Sequence, residues 1–224
     1  MPDMEMSHGE GGRGKKGNMV GLLLCVACIF LGSSAENTMS NWMSGFVESA
    51  LHLPKVWGDI LGVASFALLL AIARMLYAKY GKNIWRVLLL GMIGSCICYL
   101  IIGLSNSVII AFIACILTGF CTSMLWPGTL ILMEERMPHL GVAAYALMAA
   151  GGDFGASVAP QLLGVIVDSV SVSDLAVRLG NSLSLAPEQV GMKVGMLMAA
   201  IFPLLGIVVL LIIKKYFGIK KIKK

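Results

Sequence analysis

The chain has 224 residues, of which 58% are hydrophobic and 13% charged, with a formal net charge of +5 and a mean hydropathy of +0.88. Soluble domains carry about 25% charged and about 45–50% apolar residues, so this composition excludes a water-soluble globule. The length holds six spans of about 20 residues with short connections, and no second folded domain.

Residues 1–18 are polar and Gly-rich, with Arg13, Lys15 and Lys16 just before the first apolar run. They read as a disordered cytoplasmic tail. Apolar segments follow at about 19–50, 56–79, 85–104, 107–133, 142–168 and 191–213, and a basic tail closes the chain at 214–224. Each segment is long enough to cross a hydrocarbon core of about 30 Å. None alternates like a barrel strand, and lipid offers a backbone no other partner, so all six are predicted to be helices. The fold class is therefore an all-α, polytopic membrane protein built as a six-helix transmembrane bundle.

Lys and Arg set the orientation. With the N-terminus inside, 14 of the 17 basic residues fall on the cytoplasmic side, among them Arg74, Lys79, Lys82, Arg86 and Arg136. Only Lys55, Arg178 and Lys193 fall outside. This positive-inside bias predicts an inner or plasma membrane protein with both termini cytoplasmic. One rival is a signal peptide, from Lys15-Lys16, the run from Met19 to Leu31, and the small residues Ser33-Ser34-Ala35. Cleavage there would leave five helices and push a basic loop or the basic tail outside, against the bias. Because the basic residues flank apolar runs, they point to the bilayer as partner and away from nucleic acid.

The six cysteines (Cys25, Cys28, Cys96, Cys98, Cys115 and Cys121) lie within apolar runs and read as small buried hydrophobes. No His or Cys cluster accompanies them, so no metal and no cofactor is expected.

Polar residues inside the spans carry the functional reading, because each costs free energy in lipid. Ser33, Asn37, Asn41, Ser44 and Glu48 recur at steps of four, four, three and four on the first helix, drawing one polar stripe. Glu36 and Ser40 widen it, and Trp42 lies beside it. Glu48 and His52 read as solvated at the interface, whereas Glu36, Asn37 and Asn41 read as the lining of a cavity. On the fifth helix Asp153 falls near mid-depth, about 16 Å in from Gly141. Gly151, Gly152 and Gly155 around it invite close approach of a neighbour. Ser157 and Gln161 share its side, and Pro160 interrupts the hydrogen-bond ladder. Asp153 reads equally as a substrate or proton-coupling carboxylate and as a structural acid. On the fourth helix Thr118, Thr122 and Ser123 are expected to bond their own backbone. Trp126 reads as an interfacial anchor or as a gate.

The junction Arg74-Met75-Leu76-Tyr77-Ala78-Lys79-Tyr80-Gly81-Lys82-Asn83 resembles a degenerate cytoplasmic loop motif of the major facilitator superfamily. Lys79, Gly81 and Lys82 match that motif, while Ala78 stands where its Asp would be and Arg74 where its first Gly would be. The stretch from Gly119 to Pro127, then Gly151-Gly152 and Pro160-Gln161-Leu162-Leu163-Gly164, is similar to the tenth and eleventh helices of such transporters, especially the sugar-permease-like branches. The polar, Trp-bearing first helix resembles the seventh. The resemblance covers roughly residues 19–213 and implies the C-terminal six-helix half of a transporter with alternating access between two bundles. It further implies a gating loop at Arg74, Lys79, Gly81 and Lys82, and a partner in the form of a second six-helix half or a second copy.

The leading expectation is thus secondary transport of a small organic solute, a sugar or an organic anion. Glu36, Asn37, Asn41, Trp42, Trp126, Asp153 and Gln161 are the candidates for lining its path. A nonenzymatic structural or assembly protein, or an inactive transporter remnant, is the alternative. An enzyme is disfavoured, since no loop pairs a nucleophile with a base.

Overall fold

A computed structural model describes residues 11–49, 54, 56, 58–138 and 140–218. His52, Lys55 and the lysines from Lys220 onward lie outside the described residues. Every regular element among them is helical. Helix α1 spans Gly11–Ser49 and enters its apolar run at Met19; it begins inside the stretch expected to be a disordered tail. A wide π turn, Gly58–Val63, leads into α2, Ala64–Tyr80. Then come α3 (Ile84–Leu104), α4 (Val108–Thr122), α5 (Leu125–Arg136) and α6 (Val142–Ser171). A short helix, α7 (Asp174–Leu183), follows in the loop between the fifth and sixth spans, and α8 (Pro187–Ala199) and α9 (Ile201–Tyr216) finish the bundle.

Six helical segments are long and apolar enough to span a membrane: Met19–Ser49, Asp59–Tyr80, Ile84–Leu104, Val108–Arg136, Val142–Ser171 and Pro187–Tyr216. The chain is a multi-pass membrane protein. The fourth span is α4 and α5 in series, and the sixth is α8 and α9. Both breaks sit just before a proline, Pro127 or Pro203, which has no N–H to give the carbonyl four residues back.

The first span is the most deeply buried and the second the most exposed. Helix α1 packs along α6 and also meets α9 and α5, while α2 leans on α4. The α1–α6 crossing is close because α6 is glycine there. A Cβ at Gly155 would lie 2.4 Å from the Phe30 carbonyl oxygen, and one at Gly151 would lie 2.8 Å from the Val26 side chain. Small residues let helices approach in lipid, where contact and hydrogen bonding drive association.

Two apolar cores stack along the membrane normal. One gathers Cys25, Ile29, Leu88, Met92, Leu125, Met133 and Met148. The other gathers Met39, Phe46, Phe66, Tyr99, Leu163 and Met196. Buried hydroxyls lie around the level between them: Ser33, Ser34, Ser95, Thr118, Thr122 and Ser123. Of the cysteines, Cys25, Cys28, Cys98 and Cys115 are buried, and Cys96 and Cys121 are half-buried.

Candidate functional site

The mid-depth level carries a charged cluster assembled by a backbone defect. Pro127 cannot donate to the carbonyl of Ser123, four residues back, so that oxygen is left without its helical partner at the α4–α5 break. Arg74, from α2, fills the vacancy: its Nε donates to the Ser123 carbonyl at 2.9 Å. Its guanidinium also pairs with Glu36 of α1, Nη2 to Oε1 at 3.6 Å. The second carboxylate oxygen, Oε2 of Glu36, is buried and has no hydrogen-bond partner among the described residues. Three spans thus meet at one ion pair and one orphaned carbonyl.

This corrects the reading of Arg74 as part of a cytoplasmic gating loop. It lies within the second span, about 9 Å short of its Tyr80 end at 1.5 Å per residue, and its charge is committed to Glu36. Lys193 lies equally far inside the sixth span, six residues from its Pro187 end, so the positive-inside count becomes thirteen against two and keeps its direction. Lys79, Gly81 and Lys82 do sit at the α2–α3 turn. Lys79 Nζ lies 5.3 Å from the Tyr80 ring centre, a cation–π contact. Gly81 is needed for space, because a Cβ there would lie 2.5 Å from the Tyr77 ring. The side chain of Lys82 is exposed.

The polar stripe of α1 satisfies itself through Asn41, while the buried Ser44 hydroxyl has no partner among the described residues. Asn37 Nδ2 donates to the Ser33 carbonyl at 3.0 Å and to the Ser33 hydroxyl at 3.3 Å. Asn41 Nδ2 donates to the Asn37 carbonyl at 2.8 Å. Ser40 does the same at 3.2 Å. Each bond runs three or four residues back along the same helix, which spares the amide hydrogens an unpartnered position in lipid. Asn41 is exposed on the outside of this bundle, whereas Asn37 is half-buried.

Trp42 turns inward as a tie between helices. Its indole Nε1 donates to the Pro160 carbonyl at 3.0 Å, and the ring rests against Gly164, where a Cβ would meet it at 3.3 Å. Trp126 is half-buried and seated over Gly152, packed against the first core. Neither indole stands free to stack on a ligand or swing as a gate.

Asp153 and Gln161 are both exposed, as is Ser157 between them, whose hydroxyl donates to the Asp153 carbonyl at 2.8 Å. They form an i, i+4, i+8 strip facing out of the bundle near mid-depth. The path candidates therefore divide into two groups: Glu36, Asn37, Trp42 and Trp126 are engaged within the bundle, and Asn41, Asp153 and Gln161 lie on its outside.

Sequence reasoning missed three polar ties. Tyr99 Oη donates to the Ala35 carbonyl at 2.7 Å, and Trp85 Nε1 to the Leu210 carbonyl at 3.0 Å. Lys193 Nζ closes the end of α3, donating to the Ser105 carbonyl at 2.7 Å and to Asn106 Oδ1 at 2.9 Å. Only the Ser123 carbonyl carried a signal, the proline four residues on. Thr118 and Thr122 return their hydroxyls to the carbonyls of Ala114 and Thr118. No group of three or more His, Cys, Asp or Glu converges among the described residues.

No protein family, curated protein or solved structure matches the chain.

Proposed function

We propose that the chain is one six-helix half of a secondary transporter for a small organic solute, resembling the C-terminal half of a major facilitator transporter. One observation carries this reading: the exposed polar strip of Asp153, Ser157 and Gln161 near mid-depth of the fifth span, with Asn41 exposed on the first. An ionised group facing acyl chains costs about 2.5 kcal/mol or more near the helix centre, and an unpartnered amide is also unfavourable there. Such a strip is tolerable where water, solute or a second polar surface covers it. A complementary half, or a second copy of this chain, would supply that surface, and alternating access would follow from rocking of one bundle against the other. Thirteen basic residues against two support an inner or plasma membrane setting with both termini cytoplasmic.

A structural or assembly role is favoured by a different observation. The intramembrane ion pair of Glu36 and Arg74 is spent on holding three spans together, as helix-joining polar groups are. Cysteine accessibility separates the two. In a chain freed of its native cysteines, Asn41→Cys and Asp153→Cys should react with a membrane-impermeant maleimide, while Leu117→Cys, on an exposed apolar surface near the middle of the fourth span, should not. Unreactive Asn41→Cys and Asp153→Cys, from both sides and with any partner half co-expressed, would remove the transport reading.

A further inference from the structure

We infer that the furrow between α2 and α3 is a binding site for an anionic phospholipid, with one acyl chain in the furrow and the phosphate held by Lys82 and Arg86. The site is separate from the polar strip, and the inference does not rest on transport.

The furrow follows from where glycines fall. Helices α2 and α3 both lean on α4 at glycine contacts. A Cβ at Gly119 would lie 2.4 Å from the Phe66 carbonyl oxygen, and one at Gly91 would lie 2.5 Å from that of Cys121. Small residues at Ala73 and Gly91 leave the space between α2 and α3 open, with Met124 at its floor and Tyr77 and Leu90 on its walls. The cavity has a volume of about 340 Å³, within the range of about 300–1,000 Å³ typical of small-molecule sites. Its walls are mostly apolar. The Ser123 hydroxyl donates to the Phe120 carbonyl at 2.8 Å, and the Ser123 carbonyl accepts from Arg74. The phenol rings of Tyr77 and Tyr80 supply the remaining side-chain oxygens of the lining, so the furrow suits hydrocarbon better than a polar solute.

The mouth of the furrow selects charge. It opens at the Tyr80–Asn83 turn, where helices end and headgroups begin. Gly81 lines the cavity and Lys82 follows it. Arg86 sits one helical turn before Leu90, on the same side of α3. Both cations are exposed, and neither side chain has an ion pair or hydrogen bond among the described residues. Lys79 lies beside them against Tyr80. One acid, Glu135, stands close enough to Tyr77 to interact with it electrostatically, so the rim keeps a positive excess. Basic pockets between transmembrane helices at the membrane surface hold anionic headgroups, each Lys or Arg contributing about fivefold in affinity.

The test uses the full chain, purified in a mild non-ionic detergent and stripped of lipid. It is titrated with dioleoyl-phosphatidylglycerol or dioleoyl-phosphatidylcholine, and bound lipid is counted by native mass spectrometry. Phosphatidylglycerol should bind the more tightly. The double variant Lys82→Gln, Arg86→Gln should weaken its binding by about 30-fold and erase the preference. Leu90→Trp, which fills the furrow from its exposed edge, should lower phosphatidylglycerol occupancy with the charges intact. Equal binding of the two lipids overturns the inference. So does a preference that survives the double variant, or, should that variant fail to fold, a phosphatidylglycerol occupancy that Leu90→Trp leaves unchanged.

Discussion

Replacing Arg74 by Met tests whether the mid-depth cluster holds the bundle together. Two losses follow. The Ser123 carbonyl loses its donor and, because Pro127 has no N–H, finds no substitute within its helix. Interhelical hydrogen bonds in membranes average about 0.6 kcal/mol and reach about 1.7; an oxygen with no alternative belongs near the upper figure. Glu36 also loses the cation beside it. An uncompensated charge near a helix centre costs about 2.5–3.5 kcal/mol on insertion scales, but Glu36 keeps 17% of its side chain exposed and can protonate. About 1–2 kcal/mol is therefore assigned to the charge. The pair is also long, at 3.6 Å against about 2.7–2.9 Å for a tight charge-assisted bond. Arg74→Met should destabilise the chain by about 2–4 kcal/mol, read from reversible unfolding in mixed micelles by circular dichroism. Adding Glu36→Gln removes the stranded charge, so the double variant should recover about 1–2 kcal/mol relative to Arg74→Met. Double-variant effects that add within about 0.5 kcal/mol would mean the two groups do not interact. A loss below about 0.5 kcal/mol for Arg74→Met alone would refute the cluster altogether.

Gly155→Leu should cost more than about 2 kcal/mol in the same assay, since its Cβ would meet the Phe30 carbonyl oxygen, a backbone atom that cannot turn aside. Trp42→Phe keeps a ring over Gly164 and deletes only the indole N–H to the Pro160 carbonyl; about 0.5–1.5 kcal/mol should be lost, and no loss would show that bond to be idle. Lys193→Met should lower stability by about 0.5–1.5 kcal/mol and speed amide exchange in the last turn of α3, which Lys193 closes through Ser105 and Asn106.

The six spans were legible because a span is a sum over about 20 residues, which no single side chain can mask. Gly155 was legible as a site of close approach for a similar reason: a missing side chain has the same consequence whichever neighbour arrives. Arg74 was misread because a charge near the end of an apolar run looks like a topology signal. What draws it inside is Glu36 on another span and a carbonyl freed by Pro127 on a third, and neither relation is local in sequence. The α1 stripe was half legible. Its period follows from the spacing, but whether an amide reaches outward or bends back four residues is a rotamer choice. Asn37 and Asn41 both bend back. Trp42 was placed beside the stripe correctly, yet its partner, the Pro160 carbonyl, depends on how α6 crosses α1.

Most polar groups at mid-depth have a reason internal to the bundle. Tyr99, Trp85, Trp42 and Arg74 each donate to a main-chain carbonyl of another helix, and Thr118 and Thr122 bond their own helix. That pattern is what lipid demands, because a donor left facing acyl chains has no solvent to fall back on. The Thr38 and Ser44 hydroxyls depart from it inside the bundle, unpartnered among the described residues, and Asp153 departs from it on the outside. Asp153 bonds nothing with its carboxylate among the described residues, and neither Ser157 nor Gln161 joins α6 to a neighbouring helix. Helix packing inside this bundle cannot account for a carboxylate and a carboxamide placed eight residues apart on one exposed face. Under the proposed reading their stabilisation comes from outside the six helices, and the accessibility of Asp153→Cys is the measurement that tests it.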